Sequence, residues 1–167
     1  IIAGPDTKTS RLVRQVKENA PKFPLEGHLP RFLDWDLAQI LYNGVNSDHT
    51  DQTLETIRQR IAGGCFLQLQ EKTIKPEFIQ YLVEHNLFEH FAIVTDDTMP
   101  DSFMKRGHLN YLVKKAMKAG LTPEQAIYAA TYTPARRMGL SDKGSIAPGK
   151  IADFVVLDDP RQFHVLA

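Results

Sequence analysis

Polar residues follow short apolar runs at regular intervals, and this spacing is the feature that most constrains the fold. His28 and His49 are 21 residues apart, His49 and Gln70 are 21 apart, and Gln70 and Asp96 are 26 apart. Each interval accommodates one strand, one helix and two loops, which favours parallel strands in an α/β fold. A complete (β/α)8 barrel needs roughly 200 to 250 residues. Four such units in 167 residues therefore fit half of a barrel, although an open doubly wound sheet fits the same spacing.

Helix-like and strand-like segments alternate along the chain. Apolar stripes at helical spacing and capping signals predict helices, and short apolar runs predict strands. We expect helices at 10–20, 34–42, 50–62, 75–85, 108–119 and 123–130, strands at 65–69 and 91–94, and a short extended run at 23–26.

The pattern changes after Leu140. Residues 144–146 and 152–157 resemble two strands joined by a turn at Pro148-Gly149, and no further helical pattern follows. We therefore expect a boundary near residue 141, between an α/β part at 1–140 and a different, β-like part at 141–167.

Charge and cysteine content exclude several classes of function. Lys+Arg and Asp+Glu both number 20, which argues against nucleic-acid or membrane-surface binding, because both normally require a basic excess. The single cysteine, Cys65, cannot form an internal disulfide or a multi-cysteine zinc site and is expected in the core.

No apolar run approaches the roughly 20 residues that span a bilayer, and the first residues lack a signal-peptide pattern. These features predict a soluble, cytoplasmic segment. Because the chain does not begin with Met, its natural length is expected to be greater.

Three polar clusters follow predicted strands: Gly27-His28, Asp48-His49 and Asp96-Asp97. In a barrel, the carboxyl ends of all strands face one mouth, where active sites form. Two imidazoles and a carboxylate there match the ligands of a catalytic divalent ion. Simpler interpretations stay open, because a lone histidine is often a surface residue and an Asp pair often caps a turn or helix.

Several motifs resemble the metal-dependent amidohydrolase superfamily and, within it, the adenine deaminase branch. They are Glu26-Gly27-His28-Leu29-Pro30, Ser47-Asp48-His49, Thr95-Asp96-Asp97, Arg106-Gly107-His108-Leu109-Asn110, 122–127, 130–136 and 144–153. The resemblance extends from about residue 24 to residue 158. It implies a second half of a (β/α)8 barrel that leads into a small β domain.

The resemblance implies that His28 and His49, at strands five and six, bind a divalent metal, with Asp96, at strand eight, as metal ligand and proton shuttle. The metal would be binuclear in the full protein, as manganese, iron or zinc, which accept the same ligand types. The implied reaction is hydrolytic deamination of adenine: hydroxide attacks C6, ammonia leaves and hypoxanthine forms. The implied partners are a purine base and further copies of the chain, with neither nucleic acid nor membrane.

The resemblance also implies residues that face the substrate. Glu71 corresponds to an acidic position that faces the pocket and is expected to be catalytic, as Asp96 is, and Asp97 and His108 are expected to bind substrate. His108 begins a predicted helix, so a structural role for it stays open.

Some positions depart from the family pattern. Thr50 stands where the family usually has Glu, and Gln70-Glu71-Lys72 stands where it tends to have Arg-Glu-Gly. The family's His-x-His pair and bridging carboxylate do not occur in the sequence. The changes at residues 50 and 70–72 lie where substrate is expected and bear on specificity for adenine. The missing ligands and the missing half of the barrel predict a fragment with little activity of its own. These departures also leave two alternatives open: an amidohydrolase that acts on another cyclic amide or amine, and a catalytically inactive barrel fragment.

Overall fold

A computed structural model describes residues 7–166 of the chain, which combine α-helices with short β-strands. The chain forms two compact units, residues 1–67 and residues 68–167. The mixture of helices and strands confirms the predicted α/β class.

The first unit contains three helices and the strands between them. Thr7 caps the first helix, since its side chain accepts a hydrogen bond from the Ser10 N–H. The elements are α1 (Lys8–Asn19), α2 (Asp34–Tyr42), β1 (Ser47–Asp48), α3 (Leu54–Ala62) and the first residues of β2 (Phe66–Leu69). The predicted bounds of α2 are confirmed, and those of α1 agree within two residues.

The two strands of this unit pair in parallel, as the spacing predicts. Ser47 lies opposite Phe66, and Asp48 lies opposite Leu67. The run at 23–26 is not a strand but lies near β1, where the Asn46 N–H donates to the Leu25 carbonyl. Beneath these segments lies an apolar core that includes Cys65, as expected. Its buried members are Leu29, Leu37, Ile40, Val45 and Cys65.

Helix α3 begins four residues later than predicted. Thr50 and Gln52 direct their side chains to the Asp48 carboxylate, and the chain is not helical through either residue. A capping box between Thr53 and Thr56 then starts the helix. The predicted start at residue 50 was wrong because local side-chain hydrogen bonds to Asp48 hold these polar residues outside the helix.

The second unit is mainly helical. Pro76 occupies the first turn of α4 and Pro123 the first turn of α7, positions that need no N–H donor. The elements are the end of β2, α4 (Pro76–Glu84), β3 (Phe91–Ile93), α5 (Pro100–Arg106), α6 (Leu109–Lys118), α7 (Pro123–Arg137) and short 3-10 turns at Glu71–Thr73 and Phe88–His90.

Strand β3 and helix α7 form the centre of this unit. Helix α7 packs against β3 and α6, and the Val94 N–H donates to the Leu69 carbonyl beside β2. Helix α7 continues past Ala130 to Arg137, beyond its predicted end, and passes through Pro134. Thr133 and Ala135 are buried on that last stretch. Packing therefore outweighs the cost of a proline inside the helix.

The tail after the last helix differs from the prediction. Residues 144–157 contain no strand, and within the described chain the tail shows one isolated bridge, between Leu157 and Val165. Ile146, Phe154 and Val155 are exposed. The two predicted strands were wrong, because apolar alternation makes a strand only where a partner pairs with it, and an isolated hairpin is marginal in water. The proposed domain boundary near residue 141 stays a prediction.

Candidate functional site

His28 and His49 lie together in the first unit. His28 follows the extended run after Leu25, and His49 directly follows β1. The His28 Nδ1 and His49 Nε2 atoms are 3.0 Å apart, and the rings meet edge to face with centroids 5.0 Å apart. His28 is exposed and His49 half-buried, so the facing nitrogens are accessible from solvent.

The backbone on both sides of His28 is held by the two residues that precede His49. The Gly27 N–H donates to Ser47 Oγ at 3.1 Å, and the Leu29 N–H donates to Asp48 Oδ1 at 3.0 Å. These bonds bring two segments 20 residues apart in sequence into fixed register. The position of the two imidazoles is therefore set by these backbone hydrogen bonds as well as by the contact between the two ring nitrogens.

Gly27 leaves no room for a side chain at this point. A Cβ atom there would lie 2.5 Å from the Ser47 carbonyl oxygen and 2.5 Å from Val45 Cγ1. The carbonyl belongs to β1, so it cannot rotate away as a side chain can. The close approach of the two segments thus depends on glycine at position 27.

Replacing Gly27 by alanine should destabilise this unit by about 1–3 kcal/mol, the usual cost of overpacking. The matched control is Gly63→Ala, whose Cβ would meet the flexible end of the Leu41 side chain, which can move aside. Hydrogen exchange of the Leu29 amide measures both effects. An equal or smaller loss of protection for Gly27→Ala than for Gly63→Ala would contradict the steric argument.

Asp48 is the buried carboxylate behind the histidine pair, with 1% of its surface exposed. Its oxygens accept hydrogen bonds from the backbone N–H groups of Leu29 and Thr50, from the Thr50 hydroxyl, and from the Gln52 amide. Arg60 Nε lies 2.6 Å from Asp48 Oδ2. Burial by itself would raise the pKa of Asp48, but the hydrogen bonds from Leu29 and Gln52 and the charge of Arg60 hold that pKa below its ordinary value.

Arg60 is fully buried, and its guanidinium satisfies several acceptors besides Asp48. It donates to the backbone carbonyl of Leu29, to that of Phe32 at 3.2 Å, and to that of Thr56 at 3.3 Å. A buried arginine on α3 therefore joins the segment after His28 to the carboxylate before His49.

The spacing of the histidine pair fits two ligands of one metal ion. Two nitrogens at the usual 2.0–2.1 Å from a tetrahedral ion are about 3.3 Å apart, close to the 3.0 Å between His28 Nδ1 and His49 Nε2. Within residues 7–166, no group of three or more His, Cys, Asp or Glu side chains is arranged to hold a metal. The pair by itself is one group short of such a cluster.

A cleft of about 590 Å³ in the second unit contains the other four predicted site residues, Glu71, Asp96, Asp97 and His108. Asp96 and Asp97 follow β3, and both are exposed. The Gln70 amide donates to Asp96 Oδ2. Asp96 has a φ of +57°, a conformation uncommon outside glycine that asparagine and aspartate tolerate best. Such backbone positions are concentrated at functional sites.

Glu71 is held by residues of α5 and α6. Its Oε1 lies 2.7 Å from Arg106 Nη1 and accepts a hydrogen bond from the Tyr111 hydroxyl at 3.0 Å. The Lys115 ammonium donates to the Glu71 backbone carbonyl. Since the Glu71 and Arg106 side chains are 40% and 44% exposed, solvent screens their ion pair and it adds little to stability. Its effect is to orient Glu71 within the cleft.

His108 caps the N-terminus of α6 and is exposed at the cleft. Its backbone N–H donates to Asn110 Oδ1 at 2.8 Å, and its ring lies 5.4 Å from the Phe103 ring between centroids. This position is compatible with both roles left open for it, structural start of a helix and contact with a ligand in the cleft.

Four residues of these two sites were not predicted as site residues. Gln70 carries a usable signal, because it directly follows β2 as His49 directly follows β1. Arg106 belongs to one of the family-like motifs, but nothing local pairs it with Glu71, 35 residues away. Arg60 and Tyr111 carry no signal, because they lie inside helices 12 and 40 residues from the groups that they contact. Only the tertiary fold brings them to the carboxylates.

Within the described part of the chain, no helix has both the length and the apolar character needed to cross a membrane. This finding agrees with the absence of a long apolar run in the sequence.

The chain is similar in sequence to several curated proteins named adenine deaminase. It is 48% identical over 163 residues to adenine deaminase 2 of Shouchella clausii, and 49% identical over 160 residues to adenine deaminase of Lactobacillus delbrueckii subsp. bulgaricus. It is 46% identical over 165 residues to adenine deaminase of Clostridium perfringens. These alignments cover 96–99% of this chain and 28% of each relative, so the chain spans little more than a quarter of their length.

A solved structure and a family model agree with this similarity. The β-aspartyl dipeptidase of Fervidobacterium islandicum AW-1, solved with a β-Asp-Leu dipeptide, superposes with a TM-score of 0.68 at 19% identity. The superposition covers 95% of this chain and 49% of that one, and it supports a shared fold. The model of the amidohydrolase family matches residues 13–166. The chain therefore belongs to the amidohydrolase family.

Proposed function

We propose that the complete protein hydrolyses adenine to hypoxanthine and ammonia with the help of a divalent metal ion. The observation that carries this proposal is the His28–His49 pair at ligand spacing, in a chain 46–49% identical to proteins named adenine deaminase. Because the chain spans about 28% of those relatives, the proposal concerns the complete protein.

In this proposal, His28 Nδ1 and His49 Nε2 hold the metal. The ion would make hydroxide available near neutral pH, because a bound divalent cation lowers the pKa of water. The facing nitrogens must both be unprotonated to bind it, and the anchoring of Gly27 and Leu29 keeps them directed at the same point. The remaining ligands that the resemblance implies are Asp96, together with a His-x-His pair and a bridging carboxylate that do not occur in this sequence. Manganese, iron and zinc all accept such ligands.

Asp96 is proposed as the group that moves protons. An exposed carboxylate at the cleft can accept a proton and return it to the departing amino nitrogen. The Gln70 amide binds Asp96 Oδ2 and so fixes the orientation of the carboxylate.

Glu71 is proposed to bind the heterocycle. Arg106 and Tyr111 both donate to its Oε1 and so orient the carboxylate, whose oxygens are hydrogen-bond acceptors. Such a group matches an N–H of a purine. Asp97 and His108 line the same cleft and are proposed to contact the substrate beside it.

The direct test is turnover of adenine by the purified complete protein. We expect stoichiometric hypoxanthine and ammonia, loss of turnover after removal of metal with a chelator, and recovery when Mn²⁺, Fe²⁺ or Zn²⁺ is returned. The 167-residue chain alone serves as control and should show little or no turnover, because its described residues hold only a partial ligand set. A metal-loaded complete protein that leaves adenine unchanged would refute the proposed substrate.

A second candidate is hydrolysis of a different cyclic amide or amine. It is favoured by position 50, where the resemblance leads us to expect Glu but the chain has a buried Thr whose hydroxyl donates to Asp48. No carboxylate is then available at that position. A panel of cyclic amides and aminated heterocycles distinguishes the two candidates: turnover of one of these, with none of adenine, keeps the hydrolase assignment and changes its substrate. Failure of the complete protein to bind metal at all would favour the inactive alternative.

A further inference from the structure

We propose that Asp48, braced by Arg60, is a positioning residue that sets the spacing of the His28–His49 pair and thereby the affinity of the site for metal. The inference rests on the proposed metal-binding role of the two histidines. It assigns a function to a buried ion pair that neither the predicted ligand set nor the predicted substrate contacts include.

The carboxylate of Asp48 is joined to the backbone next to both histidines. Its Oδ1 accepts the N–H of Leu29, the residue directly after His28, and the N–H of Thr50, the residue directly after His49. Asp48 also directly precedes His49 in β1. One oxygen atom thus fixes the chain on the far side of each imidazole, and a shift of that atom would change the separation of the two rings.

The second oxygen is fixed by charge and by side-chain donors. Asp48 Oδ2 accepts from Arg60 Nε at 2.6 Å, from the Gln52 amide at 2.8 Å and from the Thr50 hydroxyl at 2.8 Å. Arg60 also donates to the Leu29 carbonyl. Leu29 is therefore held through its carbonyl by Arg60 and through its N–H by Asp48. The segment after His28 and the carboxylate before His49 are therefore joined by one rigid guanidinium group, that of Arg60.

Asp48 cannot itself be a metal ligand or a proton carrier in this arrangement. Five donors occupy its two oxygens, which offer about four lone-pair directions, and the side chain is fully buried. Its effect on the site must pass through the positions of His28 and His49. Partners that orient metal ligands in this way typically contribute 10–100-fold to metal affinity.

The test is Asp48→Asn in the complete protein, with Co²⁺ as the probe. Asparagine has the shape of aspartate, but its NH₂ group would face the N–H donors of Arg60 and Gln52. The hydrogen bonds from these two side chains would then be lost. Competition with a chelator should show Co²⁺ affinity about 10–100-fold weaker than in the wild type, and the visible Co²⁺ absorption should change as the ligand geometry changes. The matched control is Ile57→Val, a buried residue of the same helix as Arg60, which should lower stability without altering affinity or spectrum.

Arg60→Lys keeps the proposal testable if the Asp48 variant does not fold. Lysine retains the charge but lacks the planar group that reaches the Leu29 and Phe32 carbonyls, so the affinity should again fall and the spectrum change. One outcome would overturn this inference and leave the metal site intact. In it, folded Asp48→Asn or Arg60→Lys keeps the wild-type Co²⁺ affinity and spectrum, while His28→Ala abolishes Co²⁺ binding. Unchanged Co²⁺ binding in His28→Ala would instead overturn both the metal site and this inference.

Discussion

Replacing His28 or His49 by alanine should abolish specific metal binding and adenine turnover by the complete protein. Each substitution removes one of two facing nitrogens that are 3.0 Å apart, and one imidazole cannot hold the ion in place. The loss in kcat/KM should exceed the roughly 10²–10³-fold that removal of a single oxyanion-hole donor costs, because hydroxide is no longer available near neutral pH.

Metal content by elemental analysis and kcat/KM with adenine measure this effect together. The matched control is His85→Ala, another exposed histidine, whose Nδ1 contacts the Tyr81 carbonyl in α4 at 2.9 Å. That variant should retain metal and turnover. Wild-type metal content in both His28→Ala and His49→Ala would show that the pair is not a metal site.

Replacing Arg60 by methionine should lower the local stability of the first unit by about 3–5 kcal/mol, the usual cost of removing one partner of a buried ion pair. The Asp48 carboxylate would remain fully buried without its cation, and the Leu29, Phe32 and Thr56 carbonyls would lose a donor. Methionine nearly fills the same volume, so the effect reports the lost charge and hydrogen bonds more than a cavity.

Hydrogen exchange of the Leu29 and Thr50 amides measures the free energy of local opening, because both N–H groups donate to Asp48. The matched control is Arg58→Met, the same substitution at an exposed position of the same helix, where a change within about 0.5 kcal/mol is expected. The double variant Asp48→Asn, Arg60→Met should recover part of the loss, since no unpaired charge stays buried. Equal protection in Arg60→Met and Arg58→Met would refute a stabilising role for the buried pair.

Local signals allowed much of the fold to be predicted. Helix α2 has its predicted bounds, and α4 begins and ends within one residue of its own predicted bounds. Apolar spacing and polar flanks agree in both helices, and α4 also has a proline in its first turn. Strands β2 and β3 were found as short apolar runs. Helix α5 was missed, since Pro100–Arg106 is short and has no buried residue to produce an apolar stripe.

Errors arose where particular hydrogen bonds, burial or strand pairing decide the local conformation. Thr50 and Gln52 are excluded from α3 by Asp48, and Thr133 and Ala135 extend α7 because they are buried. In the tail, apolar alternation at 152–157 predicted a strand, but the described chain has no strand there. Strand formation requires backbone hydrogen bonds to a second segment, and alternation alone does not supply that segment.

The sequence by itself determined the α/β class, the parallel pairing of the first two strands, the family resemblance and the positions of the polar residues after strands. Periodicity, caps and motif spacing are local properties, so one chain is enough to reveal them. Only the tertiary structure decided that His28 and His49 meet at 3.0 Å, that Arg60 reaches Asp48 from α3, and that Arg106 and Tyr111 orient Glu71. These contacts join residues 12 to 40 positions apart, and their geometry depends on packing that no local pattern encodes.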